Sequence, residues 1–417
     1  MTLDPVHVEG IARLAGRVSD GVDDREDSAV AERAWTEFLD PLYDDGELVL
    51  EPIEAVRRHK VPIEDVALEA TPFETQHGLD AGTINPTTFK NGLVLDVSQA
   101  AMAAVPSDVD LHRARTIVMT VHTNDPGVDV HEPEWRMDDG GYARRRVLHA
   151  PRVDRYEQTV VHALALYLAE SEHAIDQAEV VEDLLVLDGP IYPTGLLKWA
   201  ERDPELRRLL TDEEQPQDVV ANYLGLVETF VERDVPLVGF VKNSASKAIT
   251  RTLRSKLGAP WVDDEAFFRR ILERLDGDGD PRTDALTFTN WFRSRVGTDG
   301  MLAGDSPVVD CDRELDAEAY EVTFFVVYDP RDDLVYCVEA PYAVTRESDV
   351  RADLTRHLLG EIARERGPPL PVGKADDLAR IDRQGKRTLR RRIEREFDTG
   401  PRRSYDDKRW TALQGML

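Results

Sequence analysis

Apolar positions change their spacing several times along the chain, and each change predicts an element. From Val6 to Trp35 the spacing is helical, with acidic residues at the exposed positions, and Asp44 to His59 reads as a loop leading into another short helix. From Gln76 the pattern becomes that of strands. Gln76 to Asp80, Leu93 to Ser98 and Thr116 to His122 follow one another through short links, which predicts an antiparallel meander. A polar segment, Asp125 to Tyr142, has Pro and Gly at its turns. Beyond Pro151, Tyr156, Val160, Leu164 and Tyr167 recur at helical spacing with Val161 and Leu168 beside them, predicting a helix to about Glu172. A buried strand Asp183 to Asp188, a helix Val219 to Arg233 and a second buried strand Val235 to Lys242 come next. A hairpin pairs Glu321 to Asp329 with Leu334 to Glu339. The helix Asp349 to Arg364 stops at Gly367, where Pro368 and Pro369 forbid continuation. A last long helix is expected from Lys374 to Phe397, with Asp376 in its first turn.

This order predicts an α/β fold: a helical arm over residues 1–75, a mixed-sheet core over 76–400 with insertions near 200–217 and 258–318, and a tail over 401–417. At 417 residues the chain exceeds an average domain, and 41% hydrophobic content is ample for a core. It contains no run of about twenty apolar residues, and Met1 to Gly10 lacks the basic and apolar regions of a signal peptide. A soluble cytoplasmic protein with no membrane partner is expected. Cys311 and Cys337 stand in no metal-ligand spacing and form no disulfide framework, which fits a reducing compartment.

Charge changes the picture less than its size suggests. A net charge of -29 ordinarily argues against a nucleic-acid partner. Here, however, 43 Arg stand against nine Lys while Asp and Glu are spread evenly, a pattern resembling that of proteins from salt-in halophiles. In molar salt such charge is screened over about 3 Å and reports the solvent rather than the ligand. Against this background Lys386, Arg387, Arg390, Arg391 and Arg392 form the densest basic run, either a DNA-backbone patch or a helix face paired internally with Glu394 and Glu396.

The candidate chemistry lies in carboxylates at strand ends. Asp80 closes one apolar strand and Asp188 another, each followed by small turn residues. If these strands are neighbours, both acids open onto one crevice at the carboxyl edge of the sheet, where hard cations and phosphates are handled. Glu157 falls on the apolar stripe of its helix with Val161, Leu164 and Leu168, so it is expected to point inward and to need a partner. Glu170 lies closer to Asp188 in sequence and is the alternative. Lys242 ends a strand beside Asn243, Ser244 and Ser246, a cluster suited either to a phosphate or to capping a turn. Asp276 to Asp280 imitates a calcium loop but has Pro281 where Gly is needed and Thr287 where Glu is needed, so it reads as a solvated loop.

Three meandering strands followed by helix and strand in alternation is the order of the ribonuclease H-like fold. Its carboxylates come from the first strand, the first core helix, the fourth strand and a late helix. Asp80, Glu157, Asp188 and Asp376 fill those positions and are expected to hold two divalent ions, Mn2+ or Mg2+, for phosphodiester cleavage. The stretches Asp80-Ala81-Gly82-Thr83, Leu187-Asp188-Gly189-Pro190, Leu237 to Lys242, Gly367 to Pro371 and Lys374-Ala375-Asp376 together resemble the NurA nucleases of archaea, over roughly Gln76 to Leu389. The resemblance implies a manganese- or magnesium-dependent nuclease that is dimeric and works on DNA with a HerA-type hexameric ATPase in 5′ end resection. It carries metal binding onto Asp80 and Asp188, and Glu157 is the chosen helical acid. Where the family has Tyr and, eight residues on, His, this chain has Pro368 and Asp376; a carboxylate suits these cations better than imidazole does. On this reading Lys242 neutralises phosphate charge, and Lys242, Arg387, Arg390 and Arg391 contact DNA.

Two other readings start from the same residues. Asp80 to Asn85 also resembles the first phosphate loop of actin-like ATPases and sugar kinases, but no Gly-rich adenosine loop follows between Pro281 and Gly367. A non-catalytic subunit that clamps DNA or an ATPase would explain Pro368 and Asp376, yet four unneutralised acids packed together repel one another.

Overall fold

The computed structural model describes residues 4–19, 24–125, 127–128, 132–244, 246–303 and 309–402. Its core elements are β1 (Gln76–Thr83), β2 (Val94–Val105), β3 (Arg115–His122), α1 (Glu157–Asp176), β4 (Leu185–Leu187), α2 (Glu214–Glu232) and β5 (Leu237–Val241). They are followed by β6 (Val322–Asp329), β7 (Leu334–Pro341), α3 (Ser348–Glu365), α4 (Leu370–Ala379) and α5 (Arg383–Glu396). The strands lie in the order β3-β2-β1-β4-β5, then β7 and β6. The first three pair antiparallel, with Asp80 opposite Ala101, while β1, β4 and β5 run parallel, with Leu79, Leu187 and Gly239 in step. That order is the ribonuclease H-like one, and the β6–β7 hairpin extends it antiparallel beside β5.

Alternation along β1 divides its work between two faces. Leu79 packs with Val160, Leu164 and Leu168 of α1 in the main core, which fits the 3.6-residue apolar stripe read from that helix. Gly78 and Gly82 take the other face, against α4. A β-carbon on Gly78 would overlap the backbone of Pro371 and Val372, and one on Gly82 the carbonyl of Ala379. Only hydrogen at those two positions lets α4 lie on the strand. Because the obstructing atoms are backbone, Gly78→Ala is expected to cost about 1–3 kcal/mol, measured as a lower denaturation midpoint in a salt-matched chemical melt. An unchanged midpoint would mean that α4 is not seated on β1.

Several expectations are corrected. The 1–75 segment is not a helical arm throughout. After helices Pro5–Ser19 and Asp24–Glu37, it supplies strands Leu42–Asp44, Glu47–Pro52 and Arg58–Pro62, where a loop and helix were expected. These pieces are short and rich in charge, and they are ordered by pairing with Phe292–Ser294 and Ala285–Thr289 of the 258–318 insertion. The polar segment after β3 contains strand Glu132–Asp138, and strand Ala143–His149 follows it beside β3. Arg144, Arg145 and Arg146 on an outer strand hide the period-two pattern. The last helix is two helices. Pro371 in the first turn starts α4 earlier than expected, and Asp382 caps α5 by accepting the Gly385 amide. Asp376 therefore lies past the middle of α4 and not in a first turn. The tail expected at 401–417 lies outside the described residues from Arg403 onward. Among the described residues no helix is long and apolar enough to cross a membrane.

Candidate active site

The parallel β1–β4 pair places two acids side by side. The Asp188 amide donates to the Leu79 carbonyl at 2.9 Å, so Asp188 leaves β4 just where Asp80 continues β1. Gly189, at φ +141°, turns the chain across β5, where a β-carbon on Gly239 would meet the Gly189 carbonyl oxygen and the Ile191 amide within 2.7 Å. Sequence reasoning saw Asp-Gly as a strand exit. The structure adds that both glycines are needed to fold the exit loop tightly beside the acids.

Glu170 of α1 completes the group. It lines a crevice of about 220 Å³ with Leu166, Tyr167, Asp188, Gly189 and Tyr223. Its Oε2 accepts the Tyr223 hydroxyl at 2.9 Å. Burial, followed by the Asp80 charge, pushes the Glu170 carboxyl up to about 8. Burial, then Asp188 and more weakly Asp376, pushes Asp80 up to about 7. Asp188 is also raised, chiefly by burial, although Lys242 opposes the shift by donating from Nζ to Oδ2 at 2.7 Å. Asp376 joins from α4, paired with Arg380, which also bonds Asp377 at 3.2 Å. Thus Asp80, Glu170, Asp188, Asp376 and Lys242 act on one another electrostatically across the end of β1.

Glu157 does not join them. It sits in the first turn of α1 and acts on His122 instead. Thirteen residues separate it from Glu170, about 20 Å along a helix axis. At about 100° per residue the two glutamates also stand about 140° apart around the helix, so the stripe of Val161, Leu164 and Leu168 does not mark the face that carries Glu170. Sequence reasoning also missed Tyr223 and Arg380: a tyrosine in an apolar helical pattern looks like core, whereas Asp376 and Arg380 at four-residue spacing were open to detection. A larger open groove of about 510 Å³ lined by His149, Arg152 and Glu213 lies outside the acidic group.

The donor set fits hard divalent cations, because every acid in it offers carboxylate oxygen. Among the described residues no three His, Cys, Asp or Glu side chains are placed so that together they could hold a metal ion. Lys242 and Arg380 occupy Asp188 and Asp376 as ion pairs, and a divalent ion at the site would take over their neutralising role.

The basic run divides into two parts. Arg390 is half-buried and its Nη2 donates to the Ile84 carbonyl at 2.9 Å, so it fastens α5 to the loop after β1. Arg383, Arg387, Arg391 and Arg395 recur every four residues and are exposed. Among the described residues none of these four makes an ion pair, so the pairing with Glu394 and Glu396 left open by the sequence does not form for them.

The sequence model of the NurA domain matches residues 74–381. Nothing among curated protein sequences matches the chain. Solved structures similar to it include a NurA nuclease from Sulfolobus solfataricus, with 11% identity and a TM-score of 0.49 over 95% of this chain and 98% of that one. Another is a NurA bound to dAMP and manganese, with 10% identity and a TM-score of 0.44 over 98% of this chain and 99% of that one. A NurA with manganese has 10% identity and a TM-score of 0.42 over 80% and 92%. These overall likenesses are low.

Proposed function

The chain belongs to the NurA family and is a nuclease, and from that premise we propose that it is a manganese- or magnesium-dependent deoxyribonuclease whose metal-binding acids are Asp80, Glu170, Asp188 and Asp376. The observation that carries this reading is that the parallel β1–β4 pair sets Asp188 beside Asp80 while Asp188 and Glu170 line one crevice, close enough for the Asp80 charge to act on Glu170. When bound, one or two divalent ions supply activation of the attacking water and neutralise charge at the leaving oxygen.

The chain's own residues do the rest. Asp80 and Asp188 are fixed by β-sheet backbone and need little reorganisation to hold a cation. Tyr223 sets the orientation of Glu170 through its hydroxyl. Lys242, 38% exposed and paired with Asp188, supplies an ammonium that turns to substrate phosphate as the acid takes up a cation. Pro368 carries no hydroxyl, so on this reading it does not replace the family's tyrosine. The test is a nuclease assay on end-labelled DNA in high salt, comparing manganese, magnesium and chelator. Metal-dependent cleavage supports the reading, and cleavage unaffected by chelator contradicts it.

The α5 arginines supply a backbone contact. We place Arg387 and Arg391 on DNA phosphates and remove Arg390 from that role. Arg387→Ala with Arg391→Ala is expected to weaken DNA binding and reduce the slope of log K against log salt by about 1.4–1.8, since each phosphate no longer neutralised removes about 0.7–0.9. An unaltered slope would assign the stripe to another partner. The family resemblance further supports 5′ to 3′ end resection in recombinational repair, as a homodimer with a HerA-type hexameric ATPase. Co-purification with such an ATPase and the polarity of digestion on 5′- and 3′-labelled duplexes test these assignments.

A further inference from the structure

Asp96 is fully buried on β2, where an ionised carboxylate needs partners. Its Oδ1 accepts the Thr83 hydroxyl at 2.8 Å and the Val97 amide at 2.7 Å, and its Oδ2 faces Nδ1 of His162 at 2.7 Å. Of these three partners, His162 is the one able to carry positive charge. A carboxylate accepts only, so Nδ1 carries the hydrogen of that bond and the imidazole is held in one orientation. Its other nitrogen, Nε2, has no hydrogen-bond partner among the described residues, and the side chain is 38% exposed.

The position of this pair gives it a role. Leu166, Glu170 and Ala174 recur every four residues on α1 and line the acidic crevice. His162 is the next member of that stripe, about 12 Å from Glu170 along the helix. Thr83, which braces Asp96, is three residues beyond Asp80 on the same strand. The loop that follows Thr83 is the one to which Arg390 fastens α5. A single strand whose scissile phosphate lies at Asp80 and Asp188 would place a phosphate a few nucleotides away beside His162, since successive phosphates rise about 3.4 Å per nucleotide in a duplex strand.

We propose that His162, oriented by buried Asp96, is a positioning residue that binds a backbone phosphate of the substrate strand as an imidazolium. This rests on the nuclease reading above. Asp96 balances the charge from behind, and Nε2–H donates to a phosphate oxygen in front. The acids cut, and His162 keeps the strand in register with them.

The test uses the full-length protein and a fluorescent single-stranded DNA oligonucleotide, in two arms. Anisotropy in chelator reads binding without cleavage. His162→Ala is expected to weaken binding about tenfold and lower the salt slope by about 0.7, whereas His162→Arg, which keeps a cation, restores most of both. With manganese, His162→Ala is expected to raise KM about tenfold and leave kcat within about twofold. Asp96→Asn is expected to follow His162→Ala in KM, with thermal melts checking that its sheet remains folded. An unchanged KM and salt slope in His162→Ala would overturn the proposal, as would a fall in kcat at unchanged KM, which would make the imidazole a proton acceptor instead. Failure of the wild type to cut DNA would defeat the nuclease reading, while the chelator arm would still judge His162.

Discussion

Asp80→Asn, Asp188→Asn and Glu170→Gln are each expected to reduce manganese-dependent cleavage of end-labelled DNA by on the order of 10³-fold, while Glu157→Gln is expected to remain within about twofold of wild type. The contrast between the two glutamates is the informative part. Both lie on α1, but only Glu170 reaches Asp80, Asp188 and the Tyr223 hydroxyl. Replacing Asp80 or Glu170 removes a carboxyl that burial and neighbouring acids disfavour in its charged form, so metal-free Asp80→Asn and Glu170→Gln should melt no lower than wild type, whereas Asp188→Asn also gives up the Lys242 ion pair. An inactive variant that keeps its melting temperature locates the defect in the site and not in the fold. If Glu157→Gln were the inactive variant, the seating of α1 against the sheet would be wrong.

The second large effect is a pH dependence that metal reverses. Asp80, at about 7, and Glu170, at about 8, titrate far above ordinary carboxylates, first because of burial and then because of neighbouring acids. Between roughly pH 4 and pH 8 the folded chain therefore holds protons that the unfolded chain has released. The stability these two groups contribute then falls as pH rises through that window, by the linkage between proton uptake and folding, while His173 and His357, held by burial well below the ordinary histidine value, act in the opposite sense below about pH 6.5. A bound divalent ion requires the charged carboxylates and favours them. Melts in chelator are expected to show a lower transition at pH 8 than at pH 5.5, with manganese raising the transition more at pH 8. Cleavage should climb over the same interval as Glu170 ionises. Equal metal-induced shifts at both pH values would separate the titration from the ion site.

The sequence made the central sheet legible because its strands are long or wholly apolar. The meander, β4 and β5 follow from period-two or continuous apolar runs, and Asp80 and Asp188 follow as the residues where those runs end. Glu170 was less visible. Helical periodicity identifies the stripe packed on the core, but Glu170 lies on a neighbouring face, with Leu166 and Ala174, that becomes recognisable only once α1 is seated against Leu79. Strands 42–62, 132–138 and 143–149 were hidden for a different reason. They are short or arginine-rich and owe their conformation to a neighbouring strand rather than to their own pattern. Asp96 and His162 were invisible as a pair, because a buried carboxylate inside an apolar run announces itself only when its partner's position on another element is known.

The most direct test is the anomalous scattering from crystals of the protein soaked in manganese. The account predicts density within about 2.6 Å of carboxylate oxygens of Asp80 and Asp188, with Glu170 turned toward it and Lys242 released from Asp188. Manganese bound elsewhere, with the Lys242–Asp188 pair intact, would contradict it.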